Sequence, residues 1–472
     1  MFDSILYHKS GRVDGEIAAK YAASLRPGEI PGRLGRAALT SRKAPRIMDE
    51  NSAPVLPHRM DGCRGAGTTE AGERTMPDFK AMAQQAAPYI IERRRYYHAH
   101  PELPGSERET CGAIRRDLDR LGVAAEPVDT CHGLIGEIRG GRPGPVVALR
   151  ADIDALAFTE QTGYPFASRN PGVMHACGHD AHIAMLLGAA RMLSACRQEL
   201  PGTVRLIVQP EEESVLGSRK MIAAGCLDGV EAIYGAHVWN ALESPKIDVS
   251  PGPRMAGCDL FTIRVHGRSA HGAAPHQGID AVVAACAMVQ DLQIVVSRET
   301  DPADPLVVTV GTIHGGKAFN IIANEVVMEG TVRYFSADKR PEDMIRTIVQ
   351  GVAAAHGATA ELEYTYGNKP VVNDDAALCE LARRAVVEMY GEEGLGHMAP
   401  TMSSEDFVAY TLQVPALFAF VGSYCAEKGL VYPNHHERYS ADEEALPRGA
   451  AVMARFAWDY LAGRQASGGG GR

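Results

Sequence analysis

One stretch near the middle of the chain, residues 174–182 (MHACGHDAH), holds three imidazoles, a thiol and a carboxylate. Imidazole and thiolate are preferred donors for zinc-like transition metals. Cys177 and His179 flank Gly178, so a tight turn there aims both side chains at one point. The apolar run 183–193 follows directly and reads as a helix. That places the cluster at a helix N-terminus, where backbone N–H groups favour anionic ligands. A polar loop with scattered histidines is the plainer alternative, and the rest of the chain weighs against it. Gln209-Pro210-Glu211-Glu212-Glu213 follows an apolar run, and three adjacent carboxylates repel one another unless something positive neutralises them. A solvated acidic helix start accounts for Glu211; for Glu212 and Glu213 a metal is the better account. His237 closes another apolar run, and 433–437 (PNHHE) offers a further imidazole pair.

The elements that must position these groups alternate. Apolar strand patterns at 146–150, 203–209 and 232–238 are separated by helical ones, which implies a largely parallel sheet flanked by helices. Open α/β sheets place their sites at the C-terminal ends of such strands, where Glu212, Glu213 and His237 fall. Pro251-Gly252-Pro253 punctuates the pattern. A second unit then runs strand 259–265, helix 279–296, strand 305–313, strand 325–335, helix 341–356, strand 359–366. This β-α-β-β-α-β order is the ferredoxin-like signature. A helix (375–390), a strand (416–421) and a final helix (445–461) return to the first unit. The division expected is a poorly ordered extension over 1–75, a catalytic domain over 76–253 and 367–464 with an inserted α+β domain over 254–366, and a flexible tail over 465–472. Met76 opens a long helical pattern, so the stretch before it is either a mis-set start or a real arm; within it only 14–25 looks helical.

The chain has 472 residues, 45% hydrophobic and 22% charged, with a formal net charge of −10. Interspersed signs and a net negative charge argue against nucleic acid or an anionic membrane as partner. No uninterrupted apolar run approaches the roughly 18–20 residues that span a bilayer, and the first residues lack a secretory pattern. Ten cysteines without framework spacing read as reduced, mostly buried thiols, which points to a cytoplasmic location.

Taken together, the motifs 94–107 (RRYYHAHPELPGSE), 149–156 (LRADIDAL), 174–182, 208–213 (VQPEEE), 234–239 (YGAHVW), 269–276 (SAHGAAPH), 319–326 (FNIIANEV) and 435–446 (HHERYSADEEAL) resemble the M20 metallopeptidase family in its amidohydrolase branch. The resemblance runs from about Tyr96 to Ala462. It implies Cys177, His179, Glu213, His237 and His435 as metal ligands and Glu212 as general base. Five ligands exceed the three usual at a mononuclear catalytic zinc site and suit two divalent ions. Zinc or manganese fits the donors, and cobalt or nickel stays open. The inserted domain would be a lid that also dimerises. In such a homodimer, His271 would reach the other subunit's site to stabilise an oxyanion or a substrate carboxylate. Asn320 would contact substrate, although turn chemistry explains it equally.

The chain departs from the family at Ala157, where Pro is frequent, and at Glu211, where Ala is usual. His435-His436 leaves the last ligand ambiguous by one residue; counting back from 442–446 favours His435. Asp152 and Asp154 either orient the ligand histidines or serve as turn and cap residues. His175 and His182 are expected to face solvent or sit behind the ligands, and His98 and His100 to be structural. The activity implied is hydrolysis of an N-acyl amino acid to a carboxylate and a free amino acid. A dipeptidase or carboxypeptidase on the same fold, and a silent metal-binding protein, are the alternatives. Cys177-Gly178-His179 favours the amidohydrolase, and an intact Glu212 disfavours silence.

Overall fold

The computed structural model describes residues 76–336 and 341–468. The expected N-terminal extension (1–75), with its helical-looking 14–25, lies outside the described residues, as do 469–472 at the end of the expected tail. Helices α1 (Phe79–Ala99) and α2 (Arg108–Arg120) lead into strands β1 (Ala125–Pro127), β2 (Leu134–Arg139) and β3 (Arg142–Asp152). Helix α3 (His179–Ala195), β4 (Pro201–Gln209), helix α4 (Gly217–Ala223), β5 (Val230–Glu243), β6 (Ile247–Asp248) and β7 (Gly252–Met255) follow. The inserted unit holds β8 (Gly257–His266), α5 (Ala281–Asp291), β9 (Leu306–Gly315), β10 (Glu325–Tyr334), α6 (Glu342–Ala355) and β11 (Thr359–Asn368). The chain closes with β12 (Val371–Asn373), α7 (Ala376–Tyr390), α8 (Val408–Thr411), β13 (Ala416–Tyr424) and α9 (Ala445–Gly468).

The larger sheet has seven strands in the order β1-β2-β4-β3-β5-β13-β6. Its central strands β4, β3, β5 and β13 are parallel, and antiparallel pairs close both edges. Both faces of the parallel strands are covered, which is why they read as unbroken apolar runs. Helix α3 is buried nearly all round, packed against α1 and α9. Its Met185, Leu186 and Leu187 are fully enclosed, each contributing about 1.5–3 kcal/mol relative to exposure. Gly178 starts this helix with φ +93°. A Cβ there would stand 2.4 Å from Val238 Cγ2 and 2.9 Å from the Tyr439 hydroxyl, so both the backbone angle and the space demand glycine.

The smaller sheet is separate and wholly antiparallel, in the order β11-β8-β10-β9. Helices α5 and α6 bury Ala284, Ala285, Met288, Ile345 and Val349 against Ile263, Val265, Met328 and Val332. The strand order and the β-α-β-β-α-β sequence of elements give the expected ferredoxin-like arrangement. A mostly parallel α/β unit carrying an α+β unit between β6 and β13 is therefore the fold.

Several details differ from expectation. Helix α2 was not anticipated, because its charged residues hide a short apolar stripe of Cys111, Ile114 and Leu118. The helix expected over 279–296 stops at Asp291 and resumes as a π-helical turn, Val295–Glu299. By length and mean hydropathy Ala281–Glu299 also passes as a membrane span, although Gln290, Asp291 and Gln293 interrupt its apolar run. Its Ala284, Met288, Leu292 and Val295 are spent on the core of the smaller unit. Helix α9 continues to Gly468, into the segment expected to be a flexible tail; Arg464, Gln465 and Ala466 are good helix formers. Among the described residues eight cysteines are free thiols, most of them buried as expected; Cys196 is not among them.

Candidate metal centre and catalytic base

The donors converge at the C-terminal ends of the parallel strands. Asp152 ends β3 and lies in register with Gln209, which ends β4. The chain then turns through Glu211, Glu212 and Glu213. His237 lies within β5, beside Phe420 of β13, and His179 opens α3. His435 arrives from the loop before α9 with φ +66°, its N–H donating to the Ala176 carbonyl at 2.8 Å. A non-glycine residue in this region stores about 1–3 kcal/mol and needs surrounding structure to hold it.

Cys177 Sγ lies 3.3 Å from His237 Nε2 and 3.2 Å from His435 Nε2. His435 Nε2 is 3.3 Å from Glu213 Oε1, and His179 Nε2 is 4.0 Å from Glu212 Oε2. Overlapping groups result: Cys177, His179 and His237; Cys177, Glu213 and His435; His179, Glu212 and Glu213. Cys177 is common to the first two. His436 lies apart, stacked on Tyr432 at 4.5 Å with Nδ1 accepting the Arg438 N–H. The ambiguity between the two histidines is thus resolved by position: His435 stands in the cluster.

The donor set fits metal ions. His179 Nε2 is buried without a hydrogen bond among the described residues. Burial, with Glu213 and Glu212 beside it, holds the Cys177 thiol well above its usual range. The pocket is therefore short of positive charge, which a divalent ion supplies. Burial also lowers His179, but Asp152 and Asp154 outweigh it and raise the imidazole to about 10. Burial and the neighbouring His182 hold His237 well below its usual range, leaving it neutral, as a ligand must be.

The remaining hydrogen bonds orient the donors. Asp154 Oδ1 holds His179 Nδ1 at 3.1 Å, and its Oδ2 accepts the Glu213 N–H at 2.9 Å. His237 Nδ1 donates to the Val238 carbonyl at 2.7 Å. Both contacts leave Nε2 facing the cluster. Asp154 is thus an orienting residue. Asp152 binds Arg150 at 2.6 Å and His182 Nδ1 at 2.5 Å. His182 Nε2 accepts the Val238 N–H at 2.8 Å, so both its ring nitrogens are engaged. His175 is equally buried. Neither faces solvent; His182 lies on α3, which is enclosed nearly all round. His98 is structural as expected, joining Asp180 at 2.8 Å and Glu160 at 3.2 Å. His100, the C-cap of α1, bonds through Nδ1 to the Tyr96 carbonyl.

Glu212 is buried beside Glu405 and Asp406, two residues absent from the sequence expectations. Asp406 N–H points to Glu212 Oε1 at 3.4 Å. Arg150 binds Glu405 at 2.9 Å and Asp406 at 3.1 Å from behind. Burial, then Glu405 and Glu213, hold the Glu212 carboxyl well above its usual range. The only sequence signal for this pair was two adjacent carboxylates before an aromatic residue, Glu405-Asp406-Phe407. Glu211 is not the solvated residue expected. It is buried, away from the cluster, with both oxygens 2.7 Å from Lys220 Nζ.

His271 and Asn320 lie together on the inserted unit. His271 bridges to Ile321, and the Gly272 N–H donates to the Asn320 carbonyl at 2.8 Å. Both are exposed, and His271 joins none of the donor groups of its own chain among the described residues.

Residues 148–459 match the model of peptidase family M20/M25/M40. An N-acyl-L-amino acid amidohydrolase from Geobacillus stearothermophilus is 42% identical over 64% of this chain and 82% of that protein. Thermostable carboxypeptidase 1 from Saccharolobus solfataricus is 37% identical over 80% of this chain and 97% of that protein. A dinuclear metal-binding M20 peptidase from Bacillus subtilis superposes with a TM-score of 0.71 at 36% identity, covering 80% of this chain and 99% of that one. Sequence, sheet order and clustered donors agree: the chain belongs to peptidase family M20/M25/M40, in its amidohydrolase branch, and is a metal-dependent hydrolase.

Proposed function

We propose that this enzyme cleaves the amide bond of N-acyl amino acids, releasing a carboxylate and a free amino acid. The observation that carries the reading is Cys177 shared between two donor groups with buried Glu212 alongside. Cys177, His179, Glu213, His237 and His435 would hold two divalent ions, zinc or manganese before cobalt or nickel. When bound, such ions lower the pKa of water from about 15.7 towards about 7, roughly 12 kcal/mol at about 1.4 kcal/mol per unit. Glu212 takes the proton of the attacking water and passes it to the leaving amine. Its raised proton affinity suits both halves of that transfer.

A carboxypeptidase reading has its own support in the carboxypeptidase relative. A panel of N-acetyl and N-benzoyl amino acids against dipeptides and C-terminally free peptides separates the two. We expect kcat/KM for the best N-acyl amino acid to exceed that of any peptide by at least about tenfold, or roughly 1.4 kcal/mol. A peptide at the head of the panel would transfer the assignment to the carboxypeptidase.

We further propose a homodimer in which His271 and Asn320 serve the partner's site. The support is that both are exposed on the inserted unit and that His271 joins no donor group of its own chain among the described residues. A positioned donor contributes roughly 3–4 kcal/mol to the transition state, so an isolated monomer should lose at least about 10²-fold in turnover. Ultracentrifugation paired with activity across a dilution series checks this; a monomer with full turnover sinks it.

A further inference from the structure

The 94–107 segment stood out in the sequence, yet none of its residues is a donor. Its last member, Glu107, precedes α2 as the N-cap. A capping side chain ordinarily accepts the N–H groups of the helix's first turn. Here Glu102 does that work, taking the Thr110 N–H at 2.7 Å and the Glu109 N–H at 3.3 Å. The Glu107 carboxyl makes no cap bond. Instead it reaches across the molecule, and its Oε1 accepts the Glu211 N–H at 2.8 Å.

Glu211 is a strained position, with φ +57° in the region that disfavours side chains. It is pinned from three directions. Glu107 holds its N–H; Lys220 holds its carboxylate; its carbonyl accepts from the Gly217 N–H at 3.1 Å and the Ser214 hydroxyl at 3.2 Å. Two residues on, Asp154 holds the Glu213 N–H at 2.9 Å. The Pro210–Glu211 and Glu212–Glu213 peptide units, which bracket the Glu211-Glu212 pair, are therefore each fixed by a buried carboxyl group from a different part of the fold. Strain of this kind persists only where surrounding contacts over-determine it.

We propose that Glu107 is a positioning residue for Glu212: by holding the Glu211 N–H in the left-handed turn, it aims the base. This rests on Glu212 being the base of the hydrolysis proposed above. Burial and the nearby Asp154 raise the Glu107 carboxyl to about 8, so glutamine resembles its form at neutral pH while keeping the acceptor oxygen. Alanine removes the acceptor, and aspartate draws it back by one methylene. A misplacement of about 1 Å at a reacting group costs about 10²-fold.

The test compares Glu107→Ala, Glu107→Asp and Glu107→Gln with the parent enzyme on whichever amide it turns over fastest. The measurements are metal per chain, thermal midpoint, kcat and KM. Expected are a kcat lowered about 10- to 100-fold in the alanine and aspartate variants, KM within about threefold, full metal content, and a glutamine variant within about threefold of parent. Unchanged kcat in Glu107→Ala overturns the proposal, as does parallel loss of metal and turnover, which would mark a purely structural role. If Glu107→Ala does not fold, the aspartate and glutamine variants decide: equal turnover in the two overturns it. Glu212→Gln run alongside separates the premises, since near-normal turnover there removes the base assignment whatever Glu107 does.

Discussion

Glu212→Gln is expected to lower kcat by at least about 10²-fold while metal content stays at the level of the parent enzyme. Glutamine has almost the same shape and keeps an oxygen to accept the Asp406 N–H that now lies 3.4 Å from Glu212 Oε1. What it lacks is a basic oxygen, and general-base catalysis contributes about 10²–10⁴-fold. The donors that would hold the ions, Cys177, His179, Glu213, His237 and His435, are untouched. The environment explains why this carboxylate is suited to the task. Burial, then Glu405 and Glu213, raise its proton affinity, and Arg150 offsets the charges of Glu405 and Asp406 only in part. Turnover and metal analysis on the same sample check the prediction. Turnover near that of the parent enzyme would mean that another group takes the proton.

Cys177→Ala is expected to abolish retention of metal through dialysis and to lower turnover by more than about 10²-fold. Losing a residue that merely orients a ligand costs about 10–100-fold. Cys177 is more exposed to consequence than that, because its sulfur is the one donor common to the groups containing His237 and His435. Both imidazoles now approach it within 3.3 Å. Without it, His435 keeps only Glu213, and His237 keeps only His179, which Asp154 holds in place. Metal per chain, measured with the thermal midpoint, distinguishes loss of ions from loss of the fold. A Cys177→Ala protein that retains its full metal complement would show that the thiol is not a ligand.

The donors were legible because residue types that bind metals are rare in such density and stand at the ends of apolar strands. Glu107, Glu405 and Asp406 were not, because an isolated glutamate before a helix, or an acidic pair in a loop, has the same sequence whether it meets solvent or a buried base. Asp152 and Asp154 look equivalent in Arg150-Ala151-Asp152-Ile153-Asp154. The fold separates them: Asp152 neutralises Arg150, while Asp154 binds His179 and the backbone of Glu213. Glu211 likewise looks like its neighbours, but its backbone turns left-handed and sends its side chain to Lys220 instead of the cluster.

Sequence alone determined the two-unit architecture, the parallel sheet and which metal-binding residue types gather near its strand ends, since periodicity and residue chemistry are local properties written along the chain. Tertiary structure decided which oxygen faces which nitrogen: His435 over His436, Asp154 over Asp152, His182 locked behind the cluster instead of facing water, and Glu107 holding a peptide about a hundred residues away. Those choices depend on strand register and close packing between distant segments. They turn on differences of an ångström or less, which no spacing along a chain records.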